Sequence, residues 1–501
     1  MRTMTKALVT GVTGYVGGRL VPELLAAGIE VRAFARTPRR LADVPWRDDV
    51  EVVGGDLVDA AACVRACAGV DVVYYLVHSM SARGDFEATE SEAAQNVARA
   101  AAAQGVSRIV YLSGLHPDVE RLSRHLHSRV AVGRILLAGP VPAVVLQAGI
   151  VIGSGSASFE MIRHLSEVLP YMPAPRWVRN RVQPIAIRDV LRYLVAWAEL
   201  PGEVNRTFDI GGPDVLRYGQ MMNAYAVEAG LPQRAIAALP VLTPWLAAQW
   251  VNLVTPIPRD VAVPIIESLQ HDCVVQEHDI DRFVPPPPEG LLGYRAAVRL
   301  ALRREAEGQV RTSWRDASVA GASSDPIPSD PDWSGHTVYV DERTIDSTAT
   351  PAQVWERIES IGGENGWYSF PLAWAARGWL DRLVGGVGLR RGRRDARRLN
   401  TGDALDFWRV ESIERGSSLR LRAEMRVPGR AWLELEVAAT AHGSNYRQRA
   451  VFFPLGLTGR LYWWSMKPFH GVIFSGMASR LAAPEPLGEH RQTPSASPSP
   501  G

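Results

Sequence analysis

Short apolar runs rich in Val, Ile, Leu and aromatics recur through the first 150 residues: KALVT, IEVRAFA, VEVVGG, DVVYYLV, RIVYLSG and AVVLQAG. Between most of them lie Ala-rich stretches with helical periodicity, VGGRLVPELLAAG and SEAAQNVARAAAAQG among them. Near-continuous apolar strands alternating with amphipathic helices predict a doubly wound parallel sheet covered on both faces. From about Ile150 to Ala306 the alternation loosens, Pro and Gly become frequent, and Pro285–Pro288 form a tetraproline. This stretch is expected to be a smaller, irregular substrate-side part of one domain covering residues 1–322.

SSDPIPSDPDWSG (323–335) has the Ser/Pro/Asp composition of a linker. The texture then changes across 336–484. TVYVDERTID reads as a strand, and TPAQVWERIESIG as a helix with Thr350 as N-cap and Pro351 at the first helical position. DALDFWRVESIE, LRLRAEMRV, AWLELEVAATA and NYRQRAVFFP follow without intervening helices, so they should pair antiparallel. A long apolar helix, GLTGRLYWWSMKPFHGVIFSGMASRL, closes this second domain, with Pro468 as a potential kink. Residues 485–501 read as a disordered tail.

Bulk properties narrow the classes. Lys and Arg total 55 against 53 for Asp and Glu, a balance that does not suggest a nucleic-acid binder. Three cysteines are too few for a disulfide framework. Cys63 and Cys67, one helical turn apart, suit a reducing, cytoplasmic setting. The chain enters a strand at once, leaving no room for a signal peptide. The uncharged run Ala235–Pro258 carries four prolines, Gln249 and Asn252, a poor membrane span that reads as a pocket wall or as a patch resting on a membrane surface.

Chemistry enters at TGVTGYVGGRL. Gly11, Gly14 and Gly17 stand at G-x-x-G-x-x-G spacing between a strand and a helix. Glycines there allow a tight turn and close backbone approach to a pyrophosphate, which the helix N-terminus would hold through free N–H groups. Thr13, Tyr15 and Val16 fill the turn. Arg36 lies nineteen residues past Gly17, where an acid would suit a ribose 2′-hydroxyl and an arginine suits a 2′-phosphate. With Arg32, Arg39 and Arg40 adding positive charge, NADP(H) is favoured over NAD(H). Asp56 and Leu57, in GDL after the third strand, are placed to meet an adenine; Asp56 could equally cap the helix starting near Asp59.

TGVTGYVGG, the GDL, the YLSG after strand five and PIAIRDV together resemble the extended or atypical short-chain dehydrogenase/reductase family, nearest its NmrA-like and NAD(P)H-binding epimerase-like branch. The resemblance spans roughly residues 5–300 and implies an α/β Rossmann domain. The C-terminal part, through VDERTIDSTATPAQVWERI and the closing helix, resembles DUF2867. That implies an α+β helix-grip domain of the START/polyketide-cyclase (SRPBCC) type, a cup for an apolar ligand.

Reductases of that family use a Ser and a Tyr-x-x-x-Lys pair. Tyr moves the proton, Lys lowers its pKa and holds the nicotinamide ribose, and Ser orients the substrate oxygen. Ser113 matches the serine. The Tyr/Lys place falls on His125 and Arg129, so both side-chain types are replaced. Arg129 stays protonated and can grip ribose or phosphate; His125 titrates near neutrality and could act as general acid, with His127 less well placed. His78, after YYLV, is a cofactor-side candidate. His271, Cys273 and His278 fit no zinc spacing well, so no metal is expected. Asp189 reads as a helix cap.

Arg390, Arg391, Arg393, Arg394, Arg397 and Arg398 form a cationic run that reads as a solvated loop or as a peripheral membrane contact. Two functions follow: an NADP(H)-dependent oxidoreductase for an apolar carbonyl, quinone or polyketide-like substrate, or a non-catalytic NADP(H)-binding redox sensor or assembly factor. A third reading makes the C-terminal cup a lipid or quinone carrier.

Overall fold

The computed structural model describes residues 5–42, 44–77, 86–117, 122–200, 203–239, 251, 255, 257, 259–310, 337–362, 367, 398–425 and 427–484. The chain divides into two compact units, Met1–Gly335 and His336–Gly501.

The first unit is built on seven strands: β1 (Lys6–Thr10), β2 (Glu30–Ala35), β3 (Glu51–Gly54), β4 (Val72–Tyr75), β5 (Arg108–Gly114), β6 (Ala143–Ala148) and β7 (Arg206–Ile210). Their spatial order is β7-β6-β5-β4-β1-β2-β3, with every neighbouring pair parallel. This is a Rossmann sheet, and alternate residues along each strand feed two different cores. Ala7, Val9, Tyr74, Val110 and Leu146 pack against α1 (Tyr15–Ala26) and α6 (Ile187–Ala196). Leu8, Val73, Tyr75, Ile109, Tyr111 and Val145 face α2 (Ala60–Cys67), α3 (Phe86–Ala103) and α4 (Arg124–Leu137). Burial on both faces is why these strands read as unbroken apolar runs.

The region expected to be irregular turns out to serve the sheet as well. β7 and α6 return from it to complete the Rossmann layer, with Phe208 and Ile210 of β7 and Leu191, Leu194 and Trp197 in the core against β6 and α1. Buried Arg108 locks this return by donating from Nη1 to the carbonyls of Trp197 (2.8 Å) and Leu200 (2.7 Å). The remainder of the region, α5 (Ala157–Val168), α7 (Tyr218–Glu228), α8 (Arg259–Ser268) and α9 (Tyr294–Val310), forms a core of its own with short two-stranded pieces. Asp189 does not cap α6, whose N-cap is Ala186. It is buried in the first turn, and its Oδ2 accepts the Leu292 N–H at 2.8 Å, pinning the approach to α9.

The second unit is a six-stranded antiparallel sheet: β8 (Tyr339–Ser347), β9 (Ala404–Leu405), β10 (Trp408–Glu414), β11 (Ser418–Ala423), β12 (Gly429–Thr440) and β13 (Gly443–Pro454), in the order β8-β13-β12-β11-β10-β9. On one face Leu433, Leu435, Val437 and Tyr446 pack against α10 (Pro351–Glu359) and α11 (Gly456–Leu481), the helix-grip arrangement. Thr350 and Gln353 form a reciprocal capping box at the start of α10. Pro468 sits inside α11, which runs through it. The opposite face of the sheet is a ladder of alternating charge: Glu342, Arg449, Glu434, Arg420 and Glu411, each ion-paired to the next at 3.2–3.9 Å.

Candidate functional site

The site is assembled at the carboxyl ends of the parallel strands, the edge where open α/β sheets bind ligands. At the end of β1, Gly11 has φ +68°, and a Cβ there would lie 2.5 Å from the Leu76 carbonyl oxygen. A Cβ on Gly17 would lie 2.3 Å from the Gly11 oxygen. The chain thus turns back on itself at contact distance, leaving a backbone-lined cradle that side chains would fill. Gly14 caps α1 without any side-chain bond, and no acid stands in its first turn, so the N–H groups of Tyr15, Val16 and Gly17 face no competing anion. These residues fit the pyrophosphate of a dinucleotide. Thr13 is half-buried in the turn. Tyr15 extends away from it: the Arg19 guanidinium lies 4.2 Å from its ring centroid, and its hydroxyl packs against Gly153.

Past the end of β2, Arg36, Arg39 and Arg40 are exposed, with no acidic partner among the described residues. Arg32 corrects the sequence reading. It is buried, its Nε pairs with Glu51 at 2.9 Å, and its Nη1 donates to the carbonyls of Ala66 and Ala68 at the end of α2. Its charge is spent inside the fold and adds nothing to the cofactor edge. Asp56 is exposed and accepts the Val58 N–H at 3.3 Å, whereas the N-cap of α2 is Asp59, which accepts from Ala61 at 2.9 Å. Leu57 is buried, and its carbonyl holds the Asn96 amide at 3.0 Å.

Ser113 is the next-to-last residue of β5, and Arg129 of α4 comes close to this end of the strand at Gly114. Gly114 makes this possible: a Cβ there would stand 3.3 Å from Leu126 and 3.7 Å from the Arg129 Cδ. Tyr111 links the two, hydrogen-bonding Ser113 and donating to the Arg129 carbonyl at 3.3 Å. Burial raises the Tyr111 pKa, so its phenol stays neutral. One turn back along α4, His125 accepts a hydrogen bond at Nε2 from the Arg129 Nε (3.0 Å). Burial and the adjacent guanidinium push the His125 pKa down to about 3. The expected titration near neutrality is therefore corrected. His125 is a neutral imidazole at physiological pH, because protonating it would set two cations against each other in a half-buried site. His127 points elsewhere, exposed, 3.8 Å from Glu87 of α3.

Sequence reasoning passed over three residues here. Gln147 stands in register with Ser113 on β6, and its amide contacts the His116 Nε2 at 3.0 Å. The His116 Nδ1 faces the Pro117 carbonyl at 3.0 Å, which requires the proton on Nδ1 and leaves Nε2 as acceptor. Asp209, in register with Gln147 on β7, extends the polar row. A polar residue near the end of the otherwise apolar AVVLQA was the available signal. His78, Arg390, Arg391, Arg393, Arg394 and Arg397 lie outside the described residues; Arg398 lies within them and is exposed.

An NAD(P)H-binding family model matches residues 11–136, and the family described as a protein of unknown function (DUF2867) matches residues 333–477. The (4-alkanoyl-5-oxo-2,5-dihydrofuran-3-yl)methyl phosphate reductase of Streptomyces griseus is 30% identical over 234 residues, covering 45% of this chain and 75% of that enzyme. The chain belongs to the NAD(P)H-binding short-chain dehydrogenase/reductase family. This family member is also 33% identical over 118 residues to the 3 beta-hydroxysteroid dehydrogenase/Delta 5→4-isomerase of Mycobacterium tuberculosis. That match takes in 22% of the chain and only 31% of the mycobacterial enzyme. Among solved structures, the Citrobacter sp. triphenylmethane reductase complexed with NADP(H) aligns over 60% of this chain and 100% of its own, at 18% identity and a TM-score of 0.47.

Proposed function

We propose that the N-terminal unit is an NADP(H)-dependent oxidoreductase acting on an apolar carbonyl, quinone or polyketide-like substrate. The observation that carries the coenzyme choice is the trio Arg36, Arg39 and Arg40, exposed beyond the glycine turn and without acidic partners among the described residues. Three guanidinium groups with no acid among them suit a 2′-phosphate and leave a ribose 2′-hydroxyl without an acceptor. When bound, the coenzyme supplies a hydride. Gly11, Gly14 and Gly17 would hold its pyrophosphate, and Arg129 its nicotinamide ribose. Neutral His125 accepts from the Arg129 Nε and so aims the remaining guanidinium N–H groups. Ser113 would orient the substrate oxygen.

A second reading has its own support. With His125 held neutral beside Arg129, the Tyr/Lys place carries no group that titrates near neutrality, which suits an NADP(H)-binding sensor without turnover. Titration of the purified protein with NADPH, NADP⁺, NADH and NAD⁺, followed by a carbonyl and quinone screen, tests both. Oxidoreduction predicts NADPH oxidation that Ser113→Ala abolishes. Tight NADPH binding with no turnover on any substrate selects the sensor, and absence of nucleotide binding defeats both readings.

A further inference from the structure

The second unit exposes an apolar surface that its core does not use. Among the described residues, nearly half of the exposed large apolar side chains fall between Leu455 and Val472. Leu461, Trp464, Phe469 and Val472 are 57–60% exposed, and Leu457 lies close by on the same helix. At 100° per residue, Trp464, Leu457, Pro468, Leu461 and Val472 fall within roughly 80° of arc, with Phe469 roughly 60° further round. Trp463, Phe474, Met477 and Leu481 occupy the other side of α11 and are buried. The helix therefore has two apolar faces, of which the sheet covers one.

Charge says what suits the second face. No Asp or Glu occurs between Glu436 and Glu485, while Arg460, Lys467 and Arg480 punctuate α11. The Lys467 ammonium lies 5.0 Å from the Trp464 ring centroid, its charge at the edge of the apolar strip. A second copy of this face would bring cation against cation. An anionic lipid surface instead offers hydrocarbon to the strip and phosphate to its flanks, with Trp at the headgroup level. No helix among the described residues is long and apolar enough to cross a membrane, so the contact would lie in the plane of the surface.

We propose that the outward face of α11, through Leu461, Trp464, Phe469 and Val472 with Lys467 beside them, is an interfacial anchor for anionic bilayers. The test is co-sedimentation of the full chain with vesicles of phosphatidylcholine alone and of phosphatidylcholine doped with phosphatidylglycerol. The protein is expected to pellet with the doped vesicles. The triple substitution Leu461→Ser/Trp464→Ser/Phe469→Ser should weaken binding at least about tenfold while leaving the circular dichroism spectrum unchanged. Lys467→Glu, at an exposed position whose contact is with the Trp464 ring, should weaken binding several-fold and carries the test should the triple variant fail to fold. The proposal is overturned by a protein that stays in the supernatant with both vesicles. Undiminished binding by the variants would overturn it too, moving the contact elsewhere, such as to the 390–398 arginine run. So would a wild-type dimer in light scattering that the triple variant splits, which would make a second copy the occupant.

Discussion

Substituting His125 by Gln tests the coupling in α4 most directly. Gln keeps an acceptor for the Arg129 Nε but cannot be protonated. In the unfolded chain histidine titrates near pH 6.5, whereas in the native chain the His125 pKa is pushed down to about 3. Above pH 6.5 both states are neutral and the stabilisation is fully present. As pH falls from 6.5 toward 3 the unfolded state gains a proton that the native state refuses, and stability is lost. At pH 5 the loss is RT ln(1 + 10^1.5), about 2 kcal/mol. Because part of the ring reaches solvent, screening trims this to about 1–2 kcal/mol. Urea unfolding at pH 7 and pH 5 should therefore show wild type losing about 1–2 kcal/mol more than His125→Gln in the transition that the substitution moves. In parallel, imidazole NMR should show a histidine resonance that has no titration step between pH 5 and 8 and is absent from the variant. Equal acid losses in the two proteins, or a His125 resonance titrating near 6.5, would refute the reasoning.

Replacing Arg36 by Ala should weaken NADPH binding about 10- to 100-fold in a fluorescence titration while leaving NADH binding unchanged, since a charge-assisted contact contributes about 1.5–3 kcal/mol. Arg32→Ala should do the reverse: NADPH affinity holds, and the unit loses about 2 kcal/mol in chemical denaturation as the Ala66 and Ala68 carbonyls lose their donor. Gly17→Ala places a methyl group 2.3 Å from the Gly11 oxygen. Calorimetry with any nicotinamide dinucleotide should then detect no binding. Burial pushes the Cys63 thiol up to about 11 and the Cys67 and Cys273 thiols to about 12 and about 11. Ellman's reagent at pH 7.5 should find no fast-reacting thiol until the chain is unfolded.

The Rossmann strands were legible because two-sided burial writes unbroken apolar runs, and the antiparallel sheet because its strands follow one another without helices. β7 was not, since RTFDI is short and sits among Pro- and Gly-rich segments; only its partner β6 makes it a strand. Arg32 was misjudged for a different reason. A cation near the glycine turn in sequence looks available to a phosphate, and only the packing of α2 reveals two helix-end carbonyls waiting for it. The His125–Arg129 pair was half legible. Spacing of four placed the side chains together, but it left His125 read as titrating near neutrality. What the pattern lacked was the desolvation by the surrounding fold, the main cause of the lowered pKa, with the Arg129 charge second.

Trp46 is buried and donates its indole N–H to the Gly18 carbonyl in α1 at 3.1 Å. The excursion that leaves β2 with Arg36, Arg39 and Arg40 is thereby moored at its far end to the helix that begins in the glycine turn. A loop tethered to its own binding helix need not be re-sculpted when its coenzyme changes. If Arg36 reads the 2′-phosphate as proposed, selection or an engineer can exchange it for an acid and leave the mooring intact, making coenzyme preference inheritable by point mutation and separable from the stability of the fold.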